Sequence, residues 1–190
     1  MMKIRIKFRK YGTMKFIGHL DVMRYFQKAI RRSEVNIRYS EGFSPHQIMS
    51  FAAPLGVGIT SKGEYVDIEV LDTENSKKMI DRLNAVMSEG FEILEYKLLP
   101  DDAANAMSIV AAADYSLVFR PGYEPEKESP EEWFEKLVRF FDADHVMIMK
   151  KTKKGEREMD LKPFVYELNV RKNGGRFSFE RFGGYVWSEN

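Results

Sequence analysis

Strict alternation of apolar and charged residues opens the chain and predicts its first strand. From Lys3 to Arg9, the apolar residues Ile4, Ile6 and Phe8 alternate with lysine or arginine. Because successive side chains of a strand point to opposite faces, this pattern predicts a half-buried strand. We expect the apolar face in the core and the basic face in solvent.

A helical period replaces the alternation after Gly18. Between Leu20 and Arg32, apolar residues recur mostly at spacings of three and four, which predicts an amphipathic helix. Acidic Asp21 in the first turn and two arginines in the last suit the helix dipole. The stretch from Met14 to Ile17 is predicted to extend the sheet briefly. The inward face is predicted to consist of Leu20, Met23, Phe26, Ala29 and Ile30.

Further pattern changes complete a β-α-β-β-α-β order over residues 1–100. The predicted elements are β-prone stretches at 35–39 and 47–52, a strand at 65–70, a helix at 75–87 and a strand at 91–99. This is the ferredoxin-like split βαβ order, which predicts an antiparallel sheet with two helices on one face. The predicted fold class is therefore α+β.

Residues 101–190 are predicted to form a second, incomplete β-α-β-β subdomain. Its elements are a strand at 111–119, a helix at 130–141, a strand at 146–151 and a hairpin formed by 165–171 and 176–181. The buried face of this helix is expected to consist of Trp133, Leu137, Phe140 and Phe141. If this half repeats the first, a final α-β is missing, so the chain is truncated or the fold closes differently. The lysine-rich stretch 150–154 is predicted to be a solvated turn.

The residue types present exclude several classes of chemistry. The chain has no cysteine, which excludes disulfides, thiolate zinc sites, iron–sulfur clusters and a cysteine nucleophile. Its three histidines lack metal-ligand spacing. No apolar run is long enough for a membrane span, and the alternating start does not read as a signal peptide. We therefore expect a cytoplasmic protein that has no metal or cofactor of its own and does not associate with a membrane.

Charge is distributed unevenly along the chain. Residues 1–50 carry 11 Lys or Arg against 3 Asp or Glu, a net +8, whereas residues 51–110 carry a net −6. A basic segment of this size suggests a one-sided field that attracts a polyanion. Alternatively, the basic segment packs beside the acidic middle and the two cancel.

His19 and Asp21 lie where the first helix begins. One interpretation is structural, because an acidic residue in the first turn stabilises a helix end. The other is functional, with the two residues as an acid–base pair at an exposed helix terminus. Both readings stay open from the sequence.

A loop from Ser40 to His46 is the second candidate site. It contains Gly42, Phe43 and a Ser-Pro pair, and Arg38 precedes it closely. Its backbone N–H groups could bind a phosphate, and Phe43 could stack on a base. The alternative is an ordinary turn whose Phe43 fills the core.

Five short segments between residues 16 and 65 form an ordered set of motifs. They are Phe16 to Arg24, Ala29 to Arg32, Tyr39 to His46, Phe51 to Gly58 and Gly63 to Tyr65. Together they resemble the DUF2344 family, the radical SAM-linked proteins of bacteria. The resemblance covers mainly residues 1–100. One departure is Gly18, where the family more often has serine.

The resemblance implies a partner. It implies a genetic or covalent link to a radical SAM enzyme with a B12-type domain, and gene neighbours that include ribosomal-protein and RNase genes. A radical SAM cluster needs cysteine ligands, which this chain lacks, so a partner protein would have to supply it.

Three functions stay open. The first is an accessory module that presents RNA to a radical SAM partner. The second is a metal-independent RNA-processing or transfer enzyme with His19 or His46 as base, which would require the two histidines to lie within proton-transfer reach if they share the step. The third is a protein–protein adaptor that uses Glu64, Asp67, Glu69 and Asp72. The residues predicted to bind RNA are Arg24, Lys28, Arg31, Arg32, Arg38, Ser40, Gly42, Phe43 and His46.

Overall fold

The computed structural model describes residues 1–53, 55–152, 155–173 and 176–183. The chain divides into two compact units, Met1–Ile109 and Val110–Asn190. The sequence placed the division after residue 100.

The first unit has the element order predicted from the sequence. Its elements are β1 (Met2–Lys10), α1 (His19–Arg32), β2 (Met49–Phe51), β3 (Ser61–Val70), α2 (Ser76–Asn84), β4 (Phe91–Leu99) and a short α3 (Ala106–Ile109). The four strands form an antiparallel sheet in the order β2-β3-β1-β4. This is the strand order of the split βαβ arrangement, so the α+β class is confirmed.

The core of this unit lies between the sheet and its helices. Ile4, Ile6 and Phe8 of β1 are buried as the alternation predicted, and Ile6 lies opposite Val66 of β3. Each large apolar side chain that is fully buried contributes about 1.5–3 kcal/mol. Phe26 of α1 packs on Phe8 with ring centroids 4.5 Å apart.

The inward face of α1 differs from the prediction at its start. Val22, Phe26 and Ile30 are buried, whereas Leu20 is 66% exposed. Val22 shares the phase of Phe26 and Ile30, at spacings of four residues, whereas Leu20 lies about 200° away from Val22 around the helix. Leu20 instead shares a face with Arg24.

The segment before α1 does not extend the sheet. Residues Gly12–Phe16 form a 3-10 helix, so the predicted strand at Met14 to Ile17 was wrong. The 3-10 turn begins where Tyr11 N–H donates to Gly90 O at 2.9 Å. A Cβ on Gly90 would lie 2.9 Å from Cβ of Met14, so glycine lets this turn pack against the start of β4.

The basic residues on the outer face of β1 are all engaged. Arg5 makes a two-pronged pair with Asp67, at 2.8 and 2.9 Å. Lys7 pairs with Glu95 at 2.9 Å, and Arg9 pairs with Glu92. Lys3 donates to the carbonyl of Asp101 at 2.8 Å.

The second unit has more strands than predicted. Its elements are β5 (Ala113–Val118), α4 (Pro130–Asp142), β6 (Met147–Thr152), β7 (Gly155–Asp160), a 3-10 helix (Lys162–Phe164), β8 (Glu167–Asn173) and β9 (Arg176–Gly183). The predicted β-α-β-β order therefore needs correction, because β7 was missed. The strands form a sheet in the order β5-β9-β8 and a separate β6-β7 hairpin, a plan unlike that of the first unit.

The helix of the second unit begins where the sequence indicated. Ser129 caps the helix and forms a capping box with Glu132, and Pro130 is the first helical residue. Its most buried residue is Phe134, whereas Phe140, predicted to face inward, is 56% exposed. In the lysine-rich stretch, residues 150–152 belong to β6, so the predicted turn was wrong there, and residues 153 and 154 lie outside the described part of the chain.

Candidate nucleic-acid interface and a neighbouring polar pocket

Three cations form a stripe along the solvent side of α1. Arg24, Lys28 and Arg31 lie at spacings of four and three residues, and all three are exposed. Arg24 pairs with Asp21 at 3.3 Å, but both side chains are mostly exposed, so this pair is weak. Lys28 and Arg31 have no carboxylate within 4.0 Å in the described part of the chain.

Arg32 and Arg38, also predicted to bind nucleic acid, have other contacts. Arg32 Nη2 donates to Val86 O at 3.0 Å, beyond the end of α2. Arg38 pairs with Glu69 at 2.8 Å and with Glu41 at 3.8 Å. The pairing follows from the backbone, because Arg38 N–H donates to Glu69 O and brings the two side chains together. Arg38 is therefore not a free cation.

The Ser40–His46 loop is closed at its neck by three contacts between its end residues. Ser40 N–H donates to His46 O at 2.8 Å, and His46 N–H donates to Ser40 Oγ at 3.1 Å. Ser40 Oγ also lies 2.8 Å from His46 Nδ1. Gly42 has φ +105°, a left-handed conformation that favours glycine.

Phe43 projects from this loop into solvent. Its side chain is fully exposed, so the alternative in which it fills the core is wrong. At this exposure the ring is not packed against any of the residues that the structure describes. It is available to stack on a planar ligand.

A buried glutamine attaches the loop to α1. Gln47 follows the loop directly and is 4% exposed. Its Nε2 donates to Gln27 O of α1 at 3.3 Å, while its Oε1 has no hydrogen-bond partner within the described residues. This contact places the base of the loop beside the helix that carries Lys28 and Arg31.

The two candidate histidines have different surroundings. His46 contacts Ser40 in the loop, whereas the His19 ring packs edge-on against Phe51, with centroids 5.4 Å apart. No hydrogen bond joins the two rings in the described structure. A proton-transfer step shared by His19 and His46 therefore has no support from the geometry.

His19 instead lines a small pocket that includes two charged residues missed by the sequence analysis. Lys10 of β1 and Glu64 of β3 stand at core positions of their strands, in phase with Phe8 and Val66. Lys10 is 1% exposed, and its Nζ donates to Ile17 O at 3.1 Å. The walls are lined by Phe8, Val22, Phe51, Ala53 and Leu55. Charged residues at core phase on adjacent strands are the sequence signal that identifies this pocket.

The pocket changes the acidity of all three ionisable groups. Burial lowers the pKa of Lys10, and nearby Glu64 partly offsets this. Burial also lowers the pKa of His19, with a further lowering from the Lys10 charge. Burial raises the pKa of Glu64, while a hydrogen bond from Ser61 and the Lys10 charge oppose the rise. Clustered shifts of this kind are typical of functional sites.

Among the described residues, no group of three or more His, Asp or Glu side chains is arranged to hold a metal ion. None of the helices in the same ranges has both the length and the apolar character that a membrane crossing requires.

Three of the five motif segments meet at this pocket. Phe16 to Arg24 contributes His19 and Val22, Phe51 to Gly58 contributes three wall residues, and Gly63 to Tyr65 contributes Glu64. No curated protein matches the chain. A family model does match, over residues 3–185, and it confirms the resemblance that these segments carry. The chain belongs to the DUF2344 family, described as an uncharacterized protein conserved in bacteria.

Proposed function

We propose that this protein is an RNA-binding accessory module that presents RNA to a radical SAM partner enzyme. The observation that carries the proposal is the pairing of an exposed cationic stripe on α1 with the exposed Phe43 on a loop attached to the same helix. Cations supply affinity for phosphates, and an exposed ring supplies stacking for an unpaired base.

Lys28 and Arg31 are the main phosphate contacts in this proposal. Neither has a carboxylate partner in the described residues, so no ion pair has to break when a phosphate arrives. Arg24 contributes less, because Asp21 competes for its guanidinium. The stripe therefore binds any flexible polyanion, and the loop adds the preference for nucleic acid.

Phe43 supplies the stacking surface. Stacking of a base on an aromatic side chain is worth about 1–3 kcal/mol and does not depend strongly on sequence. Single-stranded RNA offers such bases, whereas a duplex hides them. The proposed ligand is therefore a single-stranded region or loop of RNA.

Family resemblance and chain chemistry support the proposal of a radical SAM partner. The chain has no cysteine, so an iron–sulfur cluster for radical chemistry would come from another protein. Of the acidic residues considered for an adaptor role, Asp67 and Glu69 are paired with Arg5 and Arg38. This favours RNA presentation over the adaptor.

Salt-dependent binding of a fluorescent single-stranded oligoribonucleotide tests the RNA part of the proposal. We expect the wild-type affinity to fall steeply with salt, by about 0.7 log units per log unit of salt for each phosphate contact. The double variant Lys28→Ala/Arg31→Ala is expected to show a shallower slope. The control Lys77→Ala/Lys78→Ala removes the same charge from α2, where both lysines are already paired. Equal losses in both double variants, or no salt dependence in the wild type, would refute the proposal.

A second measurement isolates the stacking contribution. Phe43→Ala is expected to weaken oligoribonucleotide binding about ten-fold while leaving the salt slope unchanged, because stacking carries no charge. Phe16→Ala is the matched control, since Phe16 is also exposed but lies outside the loop. Co-purification with the radical SAM protein of the same cell tests the partner separately.

A further inference from the structure

The exposed face of the β6–β7 hairpin carries two methionines beside a histidine. Side chains alternate between the two faces of a strand, and here Val146 is buried whereas Met147 and Met149 are 50% and 60% exposed. His145 precedes Met147 by the same spacing of two residues, and its side chain is 75% exposed. The burial pattern therefore places His145, Met147 and Met149 on one side of the hairpin.

An aspartate on the neighbouring strand fixes the histidine over this face. Asp160 of β7 lies directly opposite Met147 in the register, so the two side chains share a face. Asp160 Oδ2 lies 2.7 Å from His145 Nδ1. Asp160 Oδ1 accepts hydrogen bonds from the N–H groups of Val146 at 2.8 Å and Lys162 at 2.9 Å, which hold the carboxylate in place.

This contact sets the tautomer of the His145 ring. An aspartate carboxylate accepts hydrogen bonds and does not donate them, so Nδ1 carries the ring proton and donates it to Asp160. In the neutral ring Nε2 then holds a lone pair. Histidines that bind metals almost always donate their other ring N–H to a carboxylate, a carbonyl or a water in this way.

The rest of this face is charged rather than apolar. Glu158 lies opposite Met149 in the register, and the next pair along the hairpin is Lys151 with Glu156. The two methionines are therefore not part of a continuous apolar patch of the kind that marks a protein-binding surface. The acidic neighbours instead favour a cation.

We infer that this face of the hairpin binds Cu(I) through His145 Nε2 and the thioether sulfurs of Met147 and Met149. Thioether and imidazole ligands suit Cu(I), whereas Mg²⁺ and Ca²⁺ require oxygen ligands. Alternate residues of a strand lie about 6.6 Å apart, and a methionine side chain has three rotatable bonds, so both sulfurs can turn towards an ion held at the imidazole. Histidine spacing could not indicate this site, because two of its three donors are sulfur atoms.

Titration of the full chain with Cu(I), under reducing conditions and in competition with a chromophoric chelator, tests the inference. We expect one Cu(I) to bind per chain. NMR of the protein labelled with ¹³C at the methionine methyl groups should show shifts for Met147 and Met149. Met159 lies opposite Ile148 on the other face of the hairpin, so its signal is expected to stay unchanged.

A matched pair of variants separates metal binding from an apolar role of the same side chains. Met147→Leu/Met149→Leu is expected to weaken Cu(I) binding about 100-fold or more, because loss of an outer-shell partner alone costs about 10–100-fold. Leucine keeps the volume and apolar character of methionine, so the fold is retained and an apolar contact would survive the change. The control Met159→Leu is expected to bind Cu(I) as the wild type does.

A further variant distinguishes sulfur ligands from carboxylate ligands. Glu158→Gln is expected to keep most of the Cu(I) affinity, and Zn²⁺ is expected to bind the wild type more weakly than Cu(I) does. Loss of binding in Glu158→Gln together with wild-type affinity in the double leucine variant would assign the ion to the carboxylates and overturn the inference. Absence of Cu(I)-induced shifts at the two methionines would overturn it as well. The inference is independent of the RNA proposal, because all three ligands lie in the second unit.

Discussion

Two basic stripes of the first unit look alike in the sequence and differ in the structure. On β1, Lys3, Arg5, Lys7 and Arg9 each contact a carboxylate or a backbone carbonyl. On α1, Lys28 and Arg31 have no carboxylate partner in the described residues. The four basic residues on the strand are thus paired within the folded unit, whereas the two on the helix are available to contact a ligand.

The difference comes from the neighbours of each element. Antiparallel pairing places β3 and β4 on both sides of β1, and the register sets Asp67 opposite Arg5 and Glu95 opposite Lys7. Cross-strand pairs at this separation interact directly. The outer side of a helix has only its own residues three and four positions away, and on α1 Asp21 is the acidic residue so placed.

The largest expected effect is on stability at the paired stripe. Arg5→Ala is expected to lower the free energy of unfolding by about 2–3 kcal/mol, because it leaves the mostly buried Asp67 carboxylate without its cation. Urea denaturation measures the change. The control Arg31→Ala is expected to stay within about 0.5 kcal/mol of the wild type. Equal losses in the two variants would contradict the comparison.

The next effect is on binding at the unpaired stripe. Lys28→Ala is expected to weaken single-stranded RNA binding about five-fold at 0.1 M salt, because one phosphate contact is lost. Lys7→Ala removes the same charge from β1, where Glu95 already neutralises it, and is expected to leave binding nearly unchanged. If Lys7→Ala weakened binding as much as Lys28→Ala, the outer sheet face would be the RNA surface instead.

The His145–Asp160 pair in the second unit makes stability depend on pH in the acidic range. The His145 ring, with the backbone N–H groups of Val146 and Lys162, lowers the pKa of Asp160 to about 2. A lowered carboxyl pKa stabilises the folded state above the unfolded pKa of 3.8, and this contribution is lost as pH falls towards 2. Asp160→Asn should therefore reduce the difference in stability between pH 6 and pH 2.5. Thermal unfolding at both pH values measures it, and an unchanged difference would contradict this role.

The smallest expected effect is the difference in stability between losing a partly exposed ion pair and losing an unpaired lysine. Lys7→Ala is expected to lower stability by about 0.5 kcal/mol, because its pair with Glu95 is partly exposed. Lys28→Ala is expected to leave stability unchanged, since no pair is lost. Thermal unfolding in 0.05 M and 1 M salt should show the Lys7 difference disappear at high salt.

Periodicity predicted the elements of the first unit well. Alternation placed Ile4, Ile6 and Phe8 in the core, and the 3.6-residue period placed α1 within one residue of its observed start. Both periods reflect geometry that the backbone imposes on every side chain. The strand order followed from the element order, because few topologies connect these elements without crossing.

The predictions of side-chain burial failed where the polarity of a residue disagreed with its position in the helical or strand period. Leu20 was placed inward because it is apolar, although its phase matches Arg24 and Lys28, and it is exposed. The buried position of Lys10 was not predicted, although its phase matches Phe8. In both cases the backbone phase decided the position of the side chain.

The ion-pair partners of charged residues could not be predicted from the sequence. Arg38 was predicted to bind RNA, but the bridge to Glu69 forms only when residues far apart in the chain become neighbours. The pocket has the same origin, since Lys10, His19 and Glu64 lie on three different elements. Local patterns could have shown that Lys10 and Glu64 stand at core phase, but they contain no information about which residues become neighbours.

The closed neck of the Ser40–His46 loop makes its tip exchangeable. Because the contacts between residues 40 and 46 hold the ends together, residues 41 to 45 can vary without disturbing the strands below. Grafting the corresponding residues of another family member onto this scaffold should transfer ligand preference while the melting temperature stays the same. In the proposed function, ligand preference would therefore change with the loop residues around the left-handed Gly42, without a change in the rest of the unit.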